Sequence, residues 1–145
     1  MSTPNTVIIT GGSVGIGQQL AHVVAAHGLS IILWARCKAR LDIVQTELET
    51  IYRENNSSAT ATTYIVDVTQ KAQVQEAFDA AVAYVVSHNS TLIGLVNNAG
   101  GGICIKALDR TEEDVDKQIA LNTKSNLWGM QVAVKYWRQQ QYPVG

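Results

Sequence analysis

Two hydrophobic periods alternate along this chain of 145 residues, and that alternation restricts its fold more than any single motif. Residues 7–10, 30–34, 62–66 and 91–96 are short apolar runs of strand length. Helical patterns separate them. Residues 17–27 read as a helix that stops at Gly28, a residue suited to the left-handed turn ending many helices. Leu41, Val44, Leu48, Ile51 and Tyr52 recur at helical spacing, as do Val74, Ala77, Phe78, Ala81, Val82 and Val85. Residues 55–61 form a polar loop. Thr111 and Asp114 make a Thr-x-x-Asp capping box, from which one long helix is expected to reach Gln140. Strands apolar on both faces, alternating with helices, predict an α/β fold with a parallel sheet covered on both sides. Right-handed crossovers make that sheet doubly wound, and such sheets gather ligands at the carboxyl ends of their strands.

Residues 1–145 suit one domain, which at this length can bury roughly 70% of its unfolded surface without staples. With 46% hydrophobic and 16% charged residues, the composition is that of a globular chain and not a disordered one. A formal net charge of −1 offers no general attraction to nucleic acid or anionic membrane. Any anion must therefore be held by local geometry. Cys37 and Cys104 belong to no Cys-x-x-Cys pair, so neither a disulfide framework nor a zinc site is expected. His22 and His27 have no accompanying carboxylate at metal-ligand spacing; His27 suits the end of its helix, facing the dipole. No metal site is expected. The first residues carry no basic segment followed by an apolar stretch, and no run approaches the ~20 residues that span a bilayer. A cytoplasmic location follows as an expectation. The Asn-x-Ser/Thr triplets at Asn55, Asn56 and Asn89 read as chance matches, and Trp34, Trp128 and Trp137 as packing residues.

The first strand leads directly into Thr10-Gly-Gly-Ser-Val-Gly-Ile-Gly17, with four glycines in seven positions. Such a loop serves a tight turn or a close approach of something charged to the backbone. A nucleoside-triphosphate loop would need Lys and Ser/Thr after the last glycine, where Gln18 and Gln19 stand. A dinucleotide pyrophosphate, by contrast, needs only glycines and the N–H groups of a helix start. The spacing Gly11-x-x-x-Gly15-x-Gly17 resembles the cofactor motif of the short-chain dehydrogenase/reductase family. Asn97-Asn98-Ala99-Gly100 is similar to that family's second motif, Asp67-Val68 to its adenine-contacting pair, and Asn122 falls where the family keeps an asparagine. The four motifs occur in family order and cover the whole chain. This resemblance implies a Rossmann-like sheet in strand order 3-2-1-4, ending after the fourth strand and its following helix. It also implies cofactor contacts at Gly11, Ser13, Gly15, Ile16, Gly17, Asp67, Val68, Asn97, Ala99 and Gly100, and homo-oligomers.

The end of the second strand separates NADP from NAD. A carboxylate there bonds the ribose 2′-hydroxyl, whereas an arginine accommodates a 2′-phosphate. The chain reads Ala35-Arg36, with no acid before Asp42, which favours NADP(H) over NAD. Ser13 can add a hydroxyl and Lys38 or Arg40 background charge. The residue before the middle glycine, where many such relatives carry a second cation, is Val14. Asn122 shares a helix face with Val115 and Ile119, so its amide is expected to be buried. The resemblance implies that the matching asparagine interrupts this helix and holds a water of the proton relay. The family reaction moves hydride between nicotinamide and a small carbonyl or alcohol substrate. A serine and a Tyr-x-x-x-Lys pair carry its acid–base chemistry. No tyrosine here has a lysine four residues on: Tyr52 leads to Asn56, Tyr64 to Val68, Tyr84 to His88 and Tyr136 to Gln140. The chain by itself is therefore expected to lack turnover, with an exposed fourth strand and Leu127, Trp128 and Val132 uncovered on the last helix. A non-catalytic dinucleotide sensor and an inactive truncated product are the alternatives.

Overall fold

Each apolar run becomes a strand and each amphipathic run a helix in the computed structural model, which describes residues 4–140. In chain order these are β1 (Asn5–Thr10), α1 (Gly15–Ala26), β2 (Ser30–Ala35), α2 (Lys38–Glu54), β3 (Ala61–Ile65), α3 (Lys71–Ser87) and β4 (Thr91–Val96). A 3-10 turn (Ala107–Asp109), α4 (Glu112–Ile119), a π-helical segment (Ala120–Lys124) and α5 (Ser125–Gln139) follow. The strands form one parallel sheet in the order β3-β2-β1-β4, the Rossmann-like arrangement.

The period of two along β1 and β2 divides the core. Val7, Ile9, Ile31 and Leu33 face α1 and α2, where they meet Ala21, Ala25, Leu41, Val44, Leu48 and Tyr52. Ile8, Ile32 and Trp34 face the other side, against Val74, Phe78, Ala81 and Val85 of α3 and Val132 and Ala133 of α5. The fully apolar character of these strands is thus explained: both faces are covered. Tyr52 is buried with its hydroxyl donating to the Leu29 carbonyl at 2.7 Å, and burial pushes its pKa upward. Gln18 and His22 of α1 both reach Glu47 of α2, at 2.8 and 2.9 Å, fastening the two helices together. The Gln18 hydrogen bond, with His22 beside it, holds the Glu47 carboxyl below its usual range.

Two expectations are corrected. The long last helix is interrupted: at Ala120–Lys124 the hydrogen bonding widens to the π pattern before α5 resumes. The interruption includes Asn122, where the resemblance implies one, although the spacing of apolar residues alone predicts a continuous helix. Val132 is buried against α3 and Trp128 is partly buried, while Leu127 remains 44% exposed. β4 lies at the sheet edge, with a register shift opposite Thr6 and Val7 and with Ile93 exposed.

β1 and β4 end side by side, and Thr10 joins them. Its hydroxyl oxygen accepts from the backbone N–H of Asn98 at 3.0 Å and of Ala99 at 2.9 Å. The Asn98 amide donates in return to the carbonyls of Thr10 and Gly11, at 3.0 and 3.2 Å. Thr10→Val keeps the shape but leaves the Ala99 N–H without its acceptor and the Asn98 N–H with the Val96 carbonyl alone. It should lower stability by about 1–3 kcal/mol in urea unfolding, while Thr10→Ser should be close to wild type.

Candidate functional site

A cleft of about 630 Å³ opens at the carboxyl ends of the strands, above the junction at Thr10. Three glycines of the first loop meet different demands. Gly11 has φ +64° and lies so near Ala99 that a Cβ would stand 2.8 Å from its Cα. A Cβ on Gly17 would strike the Gly11 carbonyl, so this glycine brings α1 against the loop. Gly15 also has a left-handed φ, +58°, but a Cβ there meets nothing within 4 Å. Its bareness is required by no neighbour in the protein, only by backbone conformation and by whatever approaches. Val14 at the N-cap of α1 contributes no capping hydrogen bond, and no acid occupies the first turn. The orphan N–H groups of a helix start suit an anion in such a place. Ser13 and Ile16 line the cleft, with Ile16 81% exposed.

The β2 side of the cleft carries Trp34, Ala35, Arg36, Cys37 and Arg40. Arg36 is exposed, as are both cysteines. Asp67 and buried Val68 complete this part of the wall. One oxygen of Asp67 accepts from the Thr69 N–H at 3.0 Å and the Thr69 hydroxyl at 2.7 Å, while Gln73 accepts the Asp67 N–H at 2.8 Å. The carboxylate is therefore fixed in direction by its own loop.

Beyond β4, Asn98, Ala99 and Gly100 line the cleft together with Leu121. Asn97 does not. It faces α5, donating to the Asn126 carbonyl at 3.4 Å and packing where a side chain on Gly129 would stand. Asn98 thus lines the cleft and Asn97, expected there, does not, because successive residues leaving a strand point to opposite sides. Asn122 is a second correction. It is exposed rather than buried, since Val115 and Ile119 on its helix face are themselves 45% and 43% exposed. Its amide is nonetheless fully engaged: it accepts from the Gly101 N–H and donates to the Gly101 carbonyl, both at 2.9 Å, and donates to Gln118. The π segment turns Asn122 toward this loop and so ties down the run Asn97–Gly101 from outside.

Thr10, Asn98 and Leu121 were not singled out as site residues from the sequence, and Arg40 only as background charge. Thr10 and Asn98 stand inside the quoted motifs; Leu121 had no sequence signal, because its place depends on how α4 and the π segment fold back. Among the described residues, no group of His, Cys, Asp and Glu could hold a metal ion, and no helix is long and apolar enough to cross a membrane. None of the four described tyrosines lines the cleft.

The chain matches the short chain dehydrogenase family over residues 5–143. It is 38% identical over 133 residues to the oxidoreductase UcpA of Salmonella typhimurium, an alignment covering 91% of this chain and 46% of that protein. It is 32% identical over 135 residues to the (S)-acetoin-forming diacetyl reductase of Staphylococcus epidermidis, covering 93% of this chain and 49% of that one. Among solved structures, a short-chain type dehydrogenase/reductase from Mycobacterium marinum superimposes with a TM-score of 0.83 at 25% identity, covering 95% and 50% of the two chains. The chain spans about half the length of the curated relatives it matches. Glycine loop, sheet order and sequence match agree: the chain belongs to the short-chain dehydrogenase/reductase family of oxidoreductases.

Proposed function

We propose that this chain supplies the NADP(H)-binding part of an oxidoreductase that moves hydride between the nicotinamide and a small carbonyl or alcohol substrate. The observation that carries the cofactor choice is the end of β2, where Ala35 and exposed Arg36 line the cleft in place of a carboxylate. An arginine fork there bonds a 2′-phosphate, and no acid stands at the end of β2 to bond a 2′-hydroxyl or repel the phosphate; the carboxylate that lines the cleft, Asp67, follows β3. The bare cradle at Gly15 supports a pyrophosphate nearby, because its open space suits a group that must approach the backbone closely.

On this reading the nicotinamide dinucleotide, when bound, supplies the hydride donor or acceptor. Gly11, Ser13, Gly15, Ile16 and Gly17 hold its pyrophosphate side against the start of α1. Asp67 and Val68 hold the adenine, with Asp67 aimed by Thr69. Asn98, Ala99 and Gly100 form the wall beyond, Asn97 acts indirectly through α5, and Asn122 keeps that wall in place while serving the proton relay. Exposed Leu127 and Met130 on α5, with the edge strand β4, support association of copies.

Arg36→Ala should weaken NADPH binding about tenfold or more while barely altering NADH binding, since a charged hydrogen bond contributes roughly 1.5–3 kcal/mol. Equal losses for the two cofactors in calorimetric titrations would remove the NADP(H) assignment. Gly15→Asn tests the cradle separately: asparagine tolerates a left-handed φ, so the fold should survive with a loss of no more than about 1 kcal/mol. Its side chain would occupy the approach to the loop, and dinucleotide affinity should fall at least about tenfold; unchanged affinity would make the loop a turn and nothing more. The 145 residues contain no Tyr-x-x-x-Lys pair, so NADPH consumption with diacetyl or other small ketones should stay at the buffer rate. Turnover above it would place the acid on a residue outside this scheme.

A further inference from the structure

We propose that Arg110 is a positioning residue for the cleft: it latches the segment after Gly100 in extended form, so that the wall meeting the nicotinamide half of the cofactor is set before binding. This rests on the dinucleotide reading above and holds for NADP and NAD alike. Residues 101–106 join the cleft wall at Gly100 to the 3-10 turn and form no helix or strand of their own. Gly100, Gly101 and Gly102 open the stretch, and glycine gives a chain its widest choice of conformations. Holding one shape there takes bonds from outside the segment.

Two side chains supply them. Asn122 takes both backbone groups of Gly101. Arg110 takes the part beyond: its Nη2 donates to the Ile103 carbonyl at 3.1 Å and its Nε to the Ile105 carbonyl at 3.3 Å. Carbonyls two residues apart point the same way where the chain is extended, and the side chains alternate to match. Ile103 and Ile105 are half-buried, and Cys104 between them is exposed. One planar fork spans both carbonyls, a geometry that a lysine ammonium does not fix. Arg110 is itself held at its root. It is extended, at φ −73° and ψ 132°, directly before Thr111, whose capping box with Asp114 fixes the start of α4. The Thr111 N–H and hydroxyl hold the Asp114 carboxyl below its usual range, and the nearby Arg110 charge adds to this. The latch thus ties the first turn of α4 to the cleft wall. A wall ordered beforehand costs a ligand nothing to order, whereas a released one is ordered at the expense of affinity. On the reading above the adenine lies against Asp67 and Val68, so only ligands that carry the nicotinamide half sense the latch.

The test is calorimetric titration of the chain and of its Arg110→Ala and Arg110→Lys variants with NADPH, NADH and adenosine 2′,5′-bisphosphate, which carries the adenine half alone. Arg110 is exposed, and circular dichroism checks the fold of each variant. Arg110→Ala should weaken NADPH and NADH by the same factor, about fivefold or more, and leave the bisphosphate within about twofold. Arg110→Lys keeps the charge without the fork and should lose about as much. Cleavage by a lysine-specific protease after Lys106, followed by mass spectrometry, reads the segment directly and should run about fivefold faster in Arg110→Ala than in wild type. Unchanged dinucleotide affinity in Arg110→Ala, an equal loss for the bisphosphate, a lysine variant that binds as wild type, or unchanged cleavage overturns the latch while the dinucleotide reading stands. A wild-type chain that binds neither dinucleotide overturns both.

Discussion

The contact between the ends of β1 and β4 governs the rest of this molecule's useful geometry. One hydroxyl, on Thr10, accepts two backbone N–H groups from the loop after β4, and one amide, on Asn98, returns two hydrogen bonds to the loop after β1. Partly buried polar groups that satisfy one another in this way leave little freedom to either loop. Gly11 and Gly17 are then required at their positions, because a Cβ on either would meet Ala99 or the Gly11 carbonyl. The glycine loop is shaped as much by its neighbour across the sheet as by anything it binds. Gly15 stands apart, with open space where a side chain would project.

Electrostatics here is a matter of placement and not of total charge. With a net charge of −1 the chain exerts no useful long-range field on an anion. The uncapped start of α1, Arg36 just before α2 and Arg40 in its first turn nevertheless converge on one cleft, while the Lys38 cation is paired with Asp42. At the opposite wall, Asn122 acts on the cleft through hydrogen bonds to both backbone groups of Gly101. A π-helical segment aims it there, and the same segment brings Leu121 to the cleft.

The alternating hydrophobic periods were sufficient to determine the strands, the helices up to α3 and the two-sided covering of the sheet, because burial on a sheet or helix face repeats at a fixed spacing. The glycine spacing, Ala35-Arg36 and the Asn-Asn-Ala-Gly loop were legible as a cleft at the strand ends for a related reason: in a doubly wound sheet, loop position follows from element order. What tertiary structure alone decided were directions. Asn97 turned to α5 and Asn98 to the glycines, Asn122 came to the surface with its amide satisfied, and Val132 found cover on α3. Lys38 was paired while Arg36 and Arg40 were not. A sequence records which side chains are near one another along the chain. Which way a side chain points after a strand ends, and which charge finds a partner, depends on atoms brought close only by folding.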